Sequence, residues 1–430
     1  MSMEAVFVIW LAFILLGMPV YVSLGVAGFL HIFLNDLNPF IIPQKIAMSA
    51  NSFPLLATPF FILMGNLMNS SGVTQRIFDF ANVAVGWLRG GLGHANILAS
   101  VIFAGMSGTT VADAGGLGTI EIAAMRRRGY DDDFTCAITA ASSTIGPIIP
   151  PSLPMVIYGV LAETSVGGLF IGGILPGLAM AGALMLLVRH YAIRNNYPSE
   201  PVPGLREIWR AFRNAWWALM TPILLLIGIA FGIFTPTEAA VFAAFFSLIL
   251  GIFVYKELRI RDIPKAVLGT VESNGVILAL VMTAMLFAWD LSVAQVPQRI
   301  GAALIAMSGN KALLLVLINV FLLFVGCFME GIAAMMILVP ILYPVAMEIG
   351  MSPIQFGLMV ILNLMIGTIT PPIGVVLFVV SNVAKVPFER VTRATIPFII
   401  PLLAVLLLVT FWPPLTTFLP EWLMGIKAGP

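Results

Sequence analysis

The chain has 430 residues, of which 60% are hydrophobic and only 10% charged, and its mean hydropathy is +1.05. Soluble domains carry about 25% charged residues, so this composition cannot cover a water-facing surface and places the chain in a bilayer. A net charge of +1 argues against a nucleic-acid partner, and Cys136, Cys327, His31, His94 and His190 do not fall at metal-ligand or disulfide-framework spacing.

Apolar runs of roughly 17–25 residues define membrane spans. They are expected at 3–17, 19–35, 51–70, 131–163, 166–189, 214–234, 236–255, 266–290, 352–384 and 394–419. The first carries Glu4 rather than a basic flank, so it reads as a span and not as a cleaved leader. Two further apolar stretches, 91–128 and 311–349, are too long for one crossing and have a glycine-rich or polar middle. Each is expected to be a re-entrant helical hairpin, preceded by an amphipathic arm near Gln75–Leu88 or Pro297–Met307. No long polar block and no GxxxxGK[ST] loop occurs, which excludes an ATPase domain and an appended soluble solute-binding domain.

Basic residues orient this pattern. With the N-terminus outside, all but four of the 21 Lys and Arg fall in cytoplasmic loops, the exceptions being Lys45, Arg299, Lys311 and Lys427. The triplet Arg126–Arg128 followed by Asp131–Asp133 is expected to anchor the cytoplasmic end of the first hairpin.

The two halves match at a shift of 221 positions. Phe103 and Gly105 fall on Phe324 and Gly326, and Gly129 falls on Gly350. Ile145, Gly146, Ile148, Pro150 and Pro151 fall on Ile366, Gly367, Ile369, Pro371 and Pro372, and Pro176 on Pro397. The first half starts outside and the second inside, so the fold class is an all-α polytopic membrane protein with an inverted repeat, two re-entrant hairpins and two broken spans.

Chemistry concentrates at the breaks and the hairpin tips. Each adjacent proline pair removes backbone donors and opens a helix at membrane depth, leaving carbonyls that hydrocarbon cannot satisfy. Around Ser142–Ser152 and Gly367–Gly374 the freed carbonyls lie beside hydroxyl residues. A desolvated cation would satisfy them, whereas a plain kink would rely on neighbouring helices. Two symmetric breaks favour cation sites. The tips Gly105–Gly116 and Gly326–Gly331 carry Asp113 and Glu330, each open to two readings: a cap on the returning half-helix, or a contact to substrate or ion. Half-helix N-termini aimed at the midplane suit an anionic substrate.

The run Ser107-Gly108-Thr109 through Ala112-Asp113-Ala114, Leu117-Gly118 and Ile120 resembles the large membrane subunit of TRAP transporters, the DctM family. So do Ser142–Ser152, Thr235-Pro236-Thr237-Glu238-Ala239, Tyr255-Lys256-Glu257-Leu258 and Gly367-Thr368-Ile369-Thr370-Pro371-Pro372, in order along nearly the whole chain. The resemblance implies an elevator-type, sodium-driven, ATP-independent importer in a bacterial inner membrane. It would work with a small DctQ-type membrane subunit and a periplasmic DctP-type solute-binding protein, on a carboxylate such as a C4-dicarboxylate or sialic acid. Sodium would be the coupling ion, with no cofactor. By motif, the first sodium site would use Ala104, Ser107, Gly146, Ile149 and Pro151, and the second Gly326, Gly367, Thr370 and Ile373. Asp113, Ser143 and Glu330 are the substrate candidates. The implied units are a scaffold with arm (1–90), the first hairpin with half of a transport unit (91–190), a loop with scaffold spans and second arm (191–310), and the second hairpin with the other half (311–430).

Three rival readings differ in class. A stand-alone dicarboxylate symporter or ion antiporter would show similar broken helices. An intramembrane enzyme would need a convergent set such as His-Glu-x-x-His, which the chain lacks. A passive channel would not need occluding hairpins.

Overall fold

A computed structural model describes residues 3–307 and 310–426. Lys427, one of the four basic residues expected outside, lies beyond the described residues. Every regular element among them is helical. The first spans are α1 (Met3–Leu15), α2 (Val20–Leu34) and α4 (Ala57–Ser70), with a helix the hydropathy pattern did not announce, α3 (Ile41–Ala50), between them. The arm follows as α5 (Val73–Val85). The first hairpin is α6 (Gly91–Ser107), α7 (Thr110–Ala112), a π turn at Asp113–Leu117, and α8 (Gly118–Arg127). The broken span comes next as α9 (Asp132–Ser143) and α10 (Leu153–Leu161), then α11 (Val166–Arg194).

The second half continues with α12 (Leu205–Ala230), α13 (Pro236–Ile249), α14 (Ile263–Val293) and the second arm α15 (Val296–Met307). Its hairpin is α16 (Lys311–Gly326) and α17 (Gly331–Glu348), its broken span α18 (Pro353–Gly367) and α19 (Val375–Ala384), and its last elements α20 (Phe388–Phe411) and α21 (Pro414–Met424). The expected span at 394–419 therefore starts earlier and stops at Phe411, where Pro413 and Pro414 cannot continue the hydrogen-bond ladder. The span expected at 214–234 also starts earlier, because the Gly204 amide donates to Glu207 and starts the helix ahead of Arg206, Arg210 and Arg213. Seven helices among the described residues are long and apolar enough to cross a membrane, α17 of the second hairpin among them, whereas α6, α16, α18 and α19 are shorter apolar pieces.

Local chemistry sets the boundaries. Asp131 Oδ1 accepts from the Phe134 amide at 2.8 Å and starts α9, and Thr235 with Glu238 forms a reciprocal cap on α13. The motif at 255–258 pins the arm: Arg76 pairs with Glu257 at 2.6 Å and lies 4.3 Å from the Tyr255 ring centroid.

The charge cluster after the first hairpin ties the two halves together instead of only anchoring one turn. Arg126 pairs with Asp132 at 2.6 Å and donates to the Ala384 carbonyl at 2.6 Å, and Asp133 pairs with Arg390. Arg128 pairs with Glu200 at 2.8 Å, and the Tyr197 hydroxyl donates to Asp131. A separate buried tie joins α2 to α14, where His31 Nδ1 and Asp290 Oδ1 stand 3.2 Å apart.

Candidate functional site

Both proline pairs, Pro150–Pro151 and Pro371–Pro372, are cis and both open their span into loop at the same repeat position. In the first break, residues 143–153 are buried except for the half-buried Ile149. Ser152 stabilises the loop from both sides: its hydroxyl donates to the Pro147 carbonyl at 2.5 Å and accepts from the Met155 amide at 3.3 Å, capping α10. The hairpin tip lies directly on this loop. A Cβ on Gly108 would meet the Pro151 carbonyl oxygen at 3.2 Å, and one on Gly146 would meet the Thr109 carbonyl oxygen at 3.4 Å. On the far side α11 presses in, and a Cβ on Gly173 would stand 2.3 Å from the Ile148 carbonyl oxygen.

The five first-site residues therefore come from two segments in backbone contact. The Ala104 carbonyl accepts from the Gly108 amide at 3.3 Å, ending α6 at the tip. The Ser107 hydroxyl is buried without a hydrogen-bond partner. It lines a cavity of about 20 Å³ with Gly108, Thr109, Pro151 and Leu153. That volume matches one water or one bare monovalent ion.

The second set is assembled in the same way but is more open. Gly326 of the tip and Gly367 of α18 are in backbone contact, and the Gly374 amide reaches the Cys327 carbonyl at 3.4 Å. The Thr370 hydroxyl donates to the Ile366 carbonyl at 2.7 Å, which leaves its oxygen lone pairs free to accept or to ligate. Ile373 is exposed, unlike Ser152, its buried counterpart at the 221 shift, so this loop faces outward.

The three substrate candidates separate. Glu330 sits exposed at the second tip and its carboxylate accepts from the Ala333 amide at 3.0 Å, so it is the N-cap of α17. Asp113 is not a cap: the returning helix is capped by Thr109, whose hydroxyl accepts from the Ala112 amide at 3.3 Å. Asp113 lies within the π turn and is buried. Ser143 is buried at the end of α9, and its hydroxyl donates to the Ala140 carbonyl at 2.8 Å.

Sequence reading missed a polar network inside each half. Asn96 of α6 donates to Glu121 at 2.7 Å and to Thr139 at 2.9 Å, and accepts from Ser142 at 2.7 Å. In the other half Asn363, 221 positions after Ser142, donates to Asn319 Oδ1 at 2.9 Å. The available signal was an amide or acid inside an otherwise apolar hairpin strand of sequence, as with Asn96, Glu121 and Asn319.

Apolar helices packed around hairpin tips and opened spans define a multi-pass membrane transport protein. A family model for the tripartite ATP-independent periplasmic transporter, DctM component, matches residues 7–415, and the chain belongs to that family. It is 44% identical over 417 residues to the sialic acid TRAP transporter large permease protein SiaM of Vibrio cholerae, covering 97% of this chain and 98% of that one. It is 40% identical over 402 residues to the C4-dicarboxylate TRAP transporter large permease protein DctM of Pseudomonas aeruginosa, with 93% and 94% covered. The structure resembles that of the Alcanivorax borkumensis YdaH transporter, with a TM-score of 0.66 at 17% identity over 90% of this chain and 89% of that one. The chain is thus the large permease component of a TRAP transporter, a transport subunit and not an enzyme.

Proposed function

We propose that this large permease drives uptake of a carboxylate with sodium, which binds at the two places where a hairpin tip meets an opened span. The reading rests above all on the repeated backbone contact between tip and break: Gly108 and Gly146 in one half, Gly326 and Gly367 in the other. Each contact gathers carbonyl oxygens that have lost their helical partners, and hard oxygen ligands suit a small cation. Ala104, Ser107, Gly146, Ile149 and Pro151 would ligate the first ion. Gly326, Gly367, Thr370 and Ile373 would ligate the second.

The substrate would lie between the tips, within reach of Glu330 and of the positive N-termini of α10 and α19. A carboxylate fits the named solutes of the relatives, sialic acid for SiaM and a C4-dicarboxylate for DctM. The repeats would be inverted in a bacterial inner membrane, with the hairpins, the broken spans and the spans that follow them, α11 and α20, moving as one elevator against α1, α2, α4 and α12 to α14. A small DctQ-type subunit would cover scaffold spans, and a periplasmic DctP-type receptor would deliver the solute.

Reconstitution tests the reading. Liposomes holding the chain, the small subunit and the loaded receptor should take up carboxylate when sodium is high outside, and hardly at all when any component is left out. Equal uptake with potassium, or on a proton gradient alone, would remove the sodium assignment. Robust uptake by the single chain would make it a stand-alone symporter.

A further inference from the structure

Two carboxyl groups in the first hairpin have no part in the sodium reading. Asp113 and Glu121 are each 1% exposed. Among the described residues neither forms an ion pair: the paired acids are Asp290, Glu257, Asp132, Glu200 and Asp133. Asp113 lies in the π turn and Glu121 in the first turn of α8. In a regular α-helix a separation of eight residues would set them about 80° apart around the axis. The wider π turn takes up that offset, so the two carboxyl groups leave the chain toward the same side, and both segments pack against α6.

The opposing face belongs to α6. Asn96 and Ser100 are four residues apart and share one side of that helix. Asn96 donates to Glu121 Oε2 at 2.7 Å, and Ser100, itself 1% exposed, lies one turn further along the same face toward the tip. Three buried oxygens of this cluster have no hydrogen-bond partner: Asp113 Oδ2, Glu121 Oε1 and the Ser100 hydroxyl. The other neighbours bring no countercharge. From α9 comes the Thr139 hydroxyl, which accepts from Asn96. Arg76 of α5 is taken up by Glu257, and Asp79 of α5 accepts from Gln75. The segment α19 carries no titratable residue.

Two ionised carboxylates side by side in a dry, unpaired setting cannot persist, because each charge is costly and they repel one another. Among the described residues no three His, Cys, Asp or Glu side chains converge here, so no side-chain cage for a divalent metal is built, and a monovalent cation is the alternative that the test below separates. A proton needs only one oxygen. We propose that Asp113 and Glu121 form a proton-binding pair, holding at least one proton at neutral pH so that the first hairpin carries no uncompensated buried charge through the bilayer.

The proton adds to a free carboxylate oxygen, Glu121 Oε1 or Asp113 Oδ2, with the two groups titrating as a unit. Raising the pH removes it and leaves like charges facing each other inside the hairpin. Uptake by the complete system should therefore fall as pH rises, and Glu121→Gln, which keeps the Asn96 contact without the charge, should flatten that fall. This inference stands apart from sodium coupling, since its primary readout needs neither sodium nor substrate.

The test is infrared spectroscopy of the full chain in lipid nanodiscs at pH 7, in H2O and in D2O. The expected result is a protonated-carboxyl C=O band that shifts in D2O, weakens in Glu121→Gln and in Asp113→Asn, and bleaches in the wild type as pH is raised. Glu121→Asp provides a second variant that keeps a carboxyl, and it should move the band rather than remove it. A band unchanged in all three variants would overturn the proposal. So would a band that sodium bleaches at constant pH, which would make the pair a cation site.

Discussion

Gly367 and Gly326 meet with no room for a side chain: a Cβ on Gly367 would stand 2.6 Å from the Gly326 carbonyl carbon and 2.9 Å from its oxygen. The obstacle is backbone on both sides, so no side-chain rotation can relieve it. Gly367→Ala must push the second hairpin tip away from the opened span and spread the carbonyls gathered there. Sodium half-saturation of uptake should rise at least about tenfold, equivalent to about 1.4 kcal/mol. An unchanged sodium titration in a folded Gly367→Ala protein would detach this contact from ion binding.

Thr370 offers a milder perturbation of the same place. Its hydroxyl hydrogen is engaged by the Ile366 carbonyl at 2.7 Å, an i−4 bond that helps hold the last turn of α18. Thr370→Ala removes one oxygen ligand and leaves the backbone carbonyls in position. Sodium dependence should weaken by about threefold to tenfold with little change in thermal stability, and Thr370→Ser should restore it. Loss of uptake at every sodium concentration, with normal half-saturation, would give Thr370 a role in substrate passage instead.

Much of this was legible in the sequence because hydrocarbon permits so few backbone solutions. Apolar length placed most spans to within a few residues, and the doubled proline pairs marked both breaks. The helix α3 was missed because Pro43, Gln44 and Lys45 interrupt its apolar signal. Of the two readings of Asp113, the cap fails for a local reason. From sequence it looks like a tip residue, but Thr109 takes the cap, and the helix that follows winds Asp113 inward through a π turn. Asn96 and Glu121 stand out as polar residues in an apolar run, but their pairing with Thr139 and Ser142 could not be read, since these partners are brought together only by the packing of α6, α8 and α9.

That network makes Asn96 a strong determinant of stability. Asn96→Ala would leave the Glu121 carboxyl and the Thr139 hydroxyl without their buried partner and Ser142 with only its bond to the Thr139 carbonyl. The expected loss is about 3 kcal/mol, seen as a clear drop in the unfolding temperature in detergent. As a control, Asn38→Ala removes only an exposed bond from the Phe40 amide and should change stability by less than about 0.5 kcal/mol. Equal effects from the two substitutions would show that the Asn96 bonds are replaced by water.

Movement of the first hairpin against the scaffold can be tested at Gly116 and Asn69. A Cβ on Gly116, in the π turn, would stand 3.7 Å from the Asn69 side-chain carbon of α4. A cysteine sulfur on residue 69 would occupy nearly the place of that carbon, so Asn69→Cys with Gly116→Cys is close to disulfide geometry. The native thiols Cys136 and Cys327 are both free and buried, and should be replaced by alanine so that only the engineered pair reacts. Oxidation should then lock hairpin to scaffold and abolish uptake, and a reductant should restore it. Each single cysteine variant should transport normally under the same oxidant. Asn69 and Gly116 lie outside both proposed ion sites, and recovery of uptake on reduction separates the lock from any effect of the substitutions on the neighbouring Asp113. Full uptake by protein verified as crosslinked would mean that the hairpin and α4 travel together, and the boundary between moving and static parts would have to lie elsewhere.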